Sequence, residues 1–152
     1  MPVRHALVIA VPVLVTFLTL PAIGAETASN VISVEVLGIH SSQGTIDCAL
    51  FGSADGFPDQ ATKAVKTALG KIENSRAVCE FSQVTPGDYA VSVFHDENSN
   101  GKLDRNLIGM PKEGVGASND AKGHFGPPKF DDARFKYDGG AKSLTIHIQY
   151  LF

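Results

Sequence analysis

The part of the sequence best suited to chemistry is a polar run that follows an aromatic and β-branched stretch. In "DENSNGKLD" (96–104), oxygen-bearing side chains recur at every second position, and Gly101 follows the third of them. Calcium prefers six to eight hard oxygen ligands, and alternate side chains of a turning chain can converge on one ion. The predicted ligands are the side chains of Asp96, Asn98, Asn100 and Asp104 and the backbone carbonyl of Lys102.

The same run departs from a complete calcium loop at its end. Leu107 stands where a twelve-residue loop carries its closing glutamate, and a strand rather than a helix precedes the loop. Glu97 and Glu113 are additional candidate ligands. With few carboxylates, the 96–107 loop predicts a weak site, with a dissociation constant of about 10⁻⁴ to 10⁻³ M. The alternative is a polar turn in which Asn and Asp side chains bond their own backbone.

Catalytic patterns are weaker, and no catalytic residue is predicted. Ser118 lies in "GASND", which is not the G-x-S-x-G of a nucleophile elbow. The histidines after residue 25 are scattered, without the H-E-x-x-H spacing of a zinc enzyme; they are His40, His95, His124 and His147. His95 beside Asp96 leaves a periplasmic hydrolase as an alternative function.

The first 25 residues predict a signal peptide. Arg4 precedes the uncharged run "ALVIAVPVLVTFLTL", and the small residues of "PAIGA" lead to Glu26. A membrane span needs about 20 apolar residues, and this run is shorter. The alternative is an uncleaved N-terminal anchor, and no membrane span is expected after cleavage. The mature domain is then 26–152, in the periplasm or secreted, and cleavage is expected after Gly24 or Ala25.

The charge balance excludes one class of partner. The chain has 13 basic and 16 acidic residues, and Arg4 is the only charged residue of the first 25, so the mature net charge is −4. Without a basic patch, nucleic acid is not an expected partner. The predicted partner is an unknown protein or small molecule.

The elements that must position these residues are mostly strands. Apolar and polar residues alternate with a period of two, which is typical of strands with one buried face. The predicted strands are 31–39, 44–51, 76–84, 88–95 and 142–152, with 133–137 as a weaker sixth. In "DQATKAVKTALGKI" (59–72), apolar residues recur at spacings of three and four, which predicts a short surface helix.

These elements predict an all-β fold. Strands with one apolar face bury it when two sheets pack face to face, so we expect an Ig-like or prealbumin-like sandwich of about seven strands, with one short helix. Residues 96–129 form one long loop, which is predicted to be ordered and functional. Its apolar residues are the expected anchors on the sandwich: Leu103, Leu107, Ile108, Met110, Phe125 and Phe130.

The two cysteines fall on the apolar faces of predicted strands. Cys48 and Cys79 should therefore both point into the core. Export makes an oxidising compartment and a disulfide the expected outcome. Two buried free thiols are the alternative.

A longer stretch of the sequence resembles the signature of a known family. "TPGDYAVSVFHDENSNGKLDRNLIGMPKEGVGASNDAKGHFGPPKFDDARF" (85–135) resembles the signature of DUF2141, a family of exported bacterial proteins defined as a domain of unknown function. The resemblance extends from about Val31 to Leu151 and implies an exported β-sandwich. Pro86, Gly87 and Tyr89 are also similar to the strand-opening turn of transthyretin-like and collagen-adhesin B-type modules, some of which carry a D-x-N-x-D-G calcium loop.

Together these observations predict an exported, non-enzymatic binding or structural module. Its cofactor would be a weakly bound calcium in the 96–107 loop. A carrier of a small ligand or carbohydrate, with the 96–129 loop as its pocket, is the runner-up.

Overall fold

The computed structural model describes residues 30–152, so the predicted signal peptide at 1–25 lies outside the described residues. The described chain forms eight strands: β1 (Val31–Leu37), β2 (Thr45–Phe51), β3 (Lys66–Gly70), β4 (Arg76–Ser82), β5 (Gly87–Asp96), β6 (Val115–Ala117), β7 (Phe135–Tyr137) and β8 (Ala141–His147). One α-helix, α1 (Phe130–Ala133), and two 3₁₀ turns, Ala61–Lys63 and Ser118–Asp120, complete the elements.

The strands form two sheets, which confirms the predicted all-β sandwich. One sheet has the order β4-β1-β8, with β1 antiparallel to β4 and parallel to β8. The other has the order β3-β2-β5-β6, and β7 pairs with the start of β5. Alternate residues of the long strands fill the space between the sheets, as period-two burial requires.

A second, smaller apolar cluster lies on the outer side of the larger sheet. Ala90 of β5 contacts Ala117 and Ala133 there, and Phe57 and Phe130 pack around them. Because the segments before β3 and after β6 cover this face, β5 is buried on both sides along most of its length. A strand held in this way is a rigid base for residues at its end.

The helix predicted for 59–72 is wrong. Residues 66–70 form β3, which pairs antiparallel with β2 at the edge of the larger sheet, and only a 3₁₀ turn precedes it. The backbone hydrogen bonds that β2 offers outweigh the modest helix propensity of a segment containing Val65, Thr67 and Gly70. The short helix of the fold is α1 instead.

The long loop is ordered, but largely not by the predicted anchors. Leu107, Ile108 and Phe125 are 106%, 82% and 107% exposed. Polar contacts order this part of the chain: the Asn106 side-chain oxygen accepts the N–H groups of Ile108 and Met110 at 3.1 and 3.0 Å. β6 lies within the predicted loop and returns the chain to the sheet beside β5.

Candidate functional site

The end of β5 sends neighbouring side chains in opposite directions. Tyr89, Val91 and Val93 face the core between the sheets, and His95 continues this row. Asp96 belongs to the other face, from which the polar loop begins. The strand therefore separates His95 and Asp96, and the hydrolase alternative that joined them gains no support from this geometry.

Asp96 organises the first turn of the loop. Its side chain is 2% exposed, its Oδ1 accepts the Asn100 N–H at 3.0 Å, and its Oδ2 accepts the Gly101 N–H at 2.7 Å. The positive φ of Gly101, 71°, allows the sharp turn that brings these N–H groups back toward the strand. Two charge-assisted hydrogen bonds hold the buried carboxylate.

The other predicted ligands lie against one another. The Asn98 and Asn100 side-chain N–H groups donate to Asp104 at 2.7 and 3.2 Å, one to each carboxylate oxygen. Their oxygens accept backbone N–H groups instead, Asn98 from Asn100 and Asn100 from Lys102. The structure thus brings Asp104 to both asparagines, in the bonding pattern of a polar turn.

Glu113 has a larger structural role than the sequence pattern predicted. It is 6% exposed, and its two oxygens accept the N–H groups of Glu97 at 3.1 Å and of Asp104 at 2.9 Å. It therefore closes the loop from the far side, although it lies sixteen residues after Glu97. Only its occurrence as an acidic residue just before a short strand could have indicated this role.

Three carboxylates of this loop, Asp96, Asp104 and Glu113, form no ion pair with lysine or arginine in the described part of the chain. Within residues 30–152, lysine and arginine form ion pairs with other carboxylates. The nearby Arg105 pairs with Asp59 at 2.6 Å instead. The direct hydrogen-bond partners of these three carboxylates are therefore backbone and amide N–H groups.

A second group of polar side chains lies on the inner side of the same strand end. His40, from the β1–β2 connection, contacts Glu97 through Nε2 and Oε1 at 2.9 Å. Buried His95 contacts the Tyr150 hydroxyl through Nδ1 at 2.8 Å and the Gln43 carbonyl through Nε2 at 2.7 Å. The His40 and Tyr150 rings are stacked, with centroids 3.6 Å apart.

Tyr150 remains a neutral hydrogen-bond donor in this group. Burial raises the pKa of Tyr150; the His40 N–H that bonds its hydroxyl opposes the rise, and the charge of Glu97 adds to it. The phenol can therefore donate to His95 at any ordinary pH.

His147 and Ser118, two other candidates from the sequence, each form hydrogen bonds. The His147 ring contacts Asp120 at 2.8 Å. His124 is exposed. Ser118 is buried, and its hydroxyl donates to the Ala133 carbonyl at 2.6 Å, so it is not presented as a nucleophile.

The cysteines form the predicted disulfide. Cys48 of β2 and Cys79 of β4 are bonded, and the bridge joins the two sheets. Within residues 30–152, no helix is long and apolar enough to cross a membrane.

The fold and the disulfide define the class: a disulfide-linked β-sandwich with a polar loop after its central strand. Residues 34–145 match the family described as "Uncharacterized protein conserved in bacteria (DUF2141)", and the chain belongs to that family. No curated protein and no solved structure matches the chain. The similarity to transthyretin-like modules therefore stays a prediction.

Proposed function

We propose that this chain is an exported binding module whose 96–113 loop is stabilised by a weakly bound calcium ion. The observation that supports it is that Asp96, Asp104 and Glu113 lie in one loop, accept N–H groups, and form no ion pair with a lysine or arginine of residues 30–152. Buried carboxylates are costly unless a cation or hydrogen bonds compensate them. Hydrogen bonds from N–H groups already compensate Asp96 and Glu113 in part, and a divalent ion would add the positive charge that these bonds do not supply.

The hydrogen bonds of the loop explain why such a site is weak. Calcium needs oxygens from Asn98 and Asn100, whereas both side chains now turn their N–H groups toward Asp104. Binding requires the amides to rotate, which gives up the two turn hydrogen bonds that their oxygens accept. Each such bond is worth about 0.5–1.5 kcal/mol, so the affinity falls accordingly.

Export rests on the N-terminal signal pattern and on the Cys48–Cys79 disulfide, which is typical of oxidising compartments. Intact-mass measurement on protein from its natural cell checks it. The expected chain begins at Ala25 or Glu26; uncut protein in the cytoplasm contradicts export.

The binding role has candidate contact residues. Leu107 and Ile108 of the 96–113 loop, and Phe125 of the segment after it, are fully exposed or nearly so and contribute nothing to the core. Apolar side chains presented in this way favour contact with a protein or small-molecule partner. Calcium would act indirectly, by fixing the loop that carries two of these residues.

Calcium-dependent melting tests the proposal. At ten times the dissociation constant the gain is RT ln 11, about 1.4 kcal/mol, or a melting temperature higher by about 3–6 °C. Magnesium should do less, because it demands tighter octahedral geometry and keeps its waters. Asp104→Asn should abolish the calcium shift while preserving the shape of the side chain.

Glu97→Gln is the matched control, because Glu97 lies in the same loop but its side chain contacts His40. It should keep the full calcium shift. A wild-type melting temperature that stays constant from zero to ten millimolar calcium would leave the loop as a polar turn.

A further inference from the structure

We propose that His40, His95 and Glu97 form a separate site for a divalent transition-metal ion, for which zinc is the probe. One donor atom from each of the three residues lies within 4.8 Å of the others. The site lies on the inner side of the β5 end, whereas the calcium loop begins on its outer side. It does not depend on the proposed calcium function.

The donor spacing suits a tetrahedral ion. Zinc bonds to imidazole nitrogen and carboxylate oxygen are about 2.0–2.2 Å, so tetrahedral ligand atoms are separated by roughly 3.3 Å. The Glu97 Oε1 lies 2.9 Å from His40 Nε2 and 3.9 Å from His95 Nδ1. Shifts of about half an ångström bring these two separations to the tetrahedral value, and the His40 and His95 donors, which lie within 4.8 Å of each other, must close by at most about 1.5 Å.

The hydrogen bond between His95 and Gln43 favours the tautomer that a metal ligand needs. The Gln43 carbonyl can only accept a hydrogen bond, so Nε2 is the donor and the tautomer with a lone pair on Nδ1 fits this contact. Metal-binding histidines typically donate their second nitrogen to a backbone carbonyl or carboxylate in this way, which fixes the ring and its tautomer. Full burial of His95 holds the ring further.

Gly44 allows this backbone contact. It has a φ of +69°, and a Cβ at this position would lie 1.8 Å from the Asp96 carbonyl oxygen. Only glycine permits the β1–β2 connection to lie so close to the end of β5. The neighbouring Gln43 carbonyl thereby reaches the His95 ring.

The donor types distinguish this site from the calcium loop. Two imidazoles and one carboxylate favour borderline ions such as zinc, copper or nickel over calcium, which prefers oxygen alone. Three protein ligands leave a fourth position for water or another small ligand. The side chains of His40 and Glu97 are 49% and 29% exposed, so an ion can reach the buried His95 past them.

Tyr150 gives the proposal a distinctive test. Its hydroxyl bonds the same Nδ1 that the metal needs, so the two compete for one lone pair. Tyr150→Phe retains the ring that stacks on His40 and removes the competitor. A metal site predicts equal or tighter zinc binding in this variant.

The experiment is equilibrium dialysis of zinc against tag-free protein in the presence of excess calcium. Wild type should bind one equivalent. His40→Ala should weaken binding at least about 100-fold and Glu97→Gln at least about tenfold, since even outer-shell changes at metal sites cost 10–100-fold. His124→Ala, which removes an exposed histidine elsewhere, is the control and should leave binding unchanged.

Three results would overturn the proposal. Wild type without bound zinc would leave the cluster as a hydrogen-bonded network. Full binding in both His40→Ala and Glu97→Gln would place the ion elsewhere. Loss of zinc in Asp104→Asn with retention in His40→Ala would assign the ion to the loop. Because the calcium test measures a different ion, and Glu97→Gln should keep the calcium shift while weakening zinc binding, either proposal can fail alone.

Discussion

Ser118 shows how much a single buried hydroxyl contributes at the scale of a residue. Its oxygen accepts the Val91 N–H at 2.9 Å and its proton goes to the Ala133 carbonyl at 2.6 Å. The side chain is fully buried and thus connects β5, the 3₁₀ turn and α1. Both polar partners depend on it.

Ser118→Ala should lower the free energy of unfolding by about 1–3 kcal/mol, because it leaves the buried Val91 N–H unpaired. Urea unfolding with an unchanged m-value is the measurement. Ser53→Ala, in an exposed loop, should change stability by less than about 0.5 kcal/mol. Equal effects of the two substitutions would contradict the connecting role of Ser118.

The limits of sequence reasoning are clearest at this scale. Spacing predicted that Asp96, Asn98, Asn100 and Asp104 lie together, because these residues are close in the chain and occupy every second or fourth position of a turn. It could not predict the contact between His40 and Glu97, which lie 57 residues apart. Only the approach of the β1–β2 connection to the end of β5 creates that pair.

At the scale of the element, strands that bury one face were predictable and an edge strand was not. The alternation in β1 and β4 reflects a core on one side and solvent on the other. β3 is different: its apolar residues fit a helical stripe equally well, and Leu69 points to solvent. Edge pairing with β2 depends on a partner that is distant in the chain.

Two leucine-to-alanine substitutions test the β3 assignment. Leu69 is 69% exposed, whereas Leu50 in the neighbouring strand is fully buried. Leu69→Ala should change the free energy of unfolding by less than about 0.5 kcal/mol, and Leu50→Ala should lower it by about 2–5 kcal/mol. Urea unfolding of both variants provides the comparison.

A helix over 59–72 would predict the opposite for Leu69, since its stripe would face the core. A loss above about 2 kcal/mol in Leu69→Ala would therefore support the helix and contradict the edge strand.

At the scale of the whole molecule, the sandwich depends on how its two sheets are held together. Their inner faces share an apolar core, and the Cys48–Cys79 disulfide adds one covalent link between β2 and β4. Both candidate metal sites lie at the end of β5, a strand next to β2 in the larger sheet. Whatever stabilises the packing of the sheets therefore also keeps His40, from the connection after β1, close to Glu97.

The size of the disulfide contribution follows from the length of chain it closes. The two cysteines are separated by 31 residues, for which the chain-entropy treatment gives about 3–4 kcal/mol. The double variant Cys48→Ala/Cys79→Ala should lose about this much free energy of unfolding, measured in urea. The substitutions also remove two small buried groups, which adds to the loss.

Reductant separates the covalent link from the lost packing. Dithiothreitol should destabilise the wild type, because its unfolded chain loses the constraint, and should leave the double variant unchanged. The reduced wild type should remain slightly more stable than the double variant, since its thiols still fill the core. Thiol titration of the unfolded, unreduced protein should find no free thiol. Two titratable thiols in freshly isolated native protein, or equal melting with and without reductant, would contradict the disulfide. Two free thiols would also remove the structural support for an oxidising compartment.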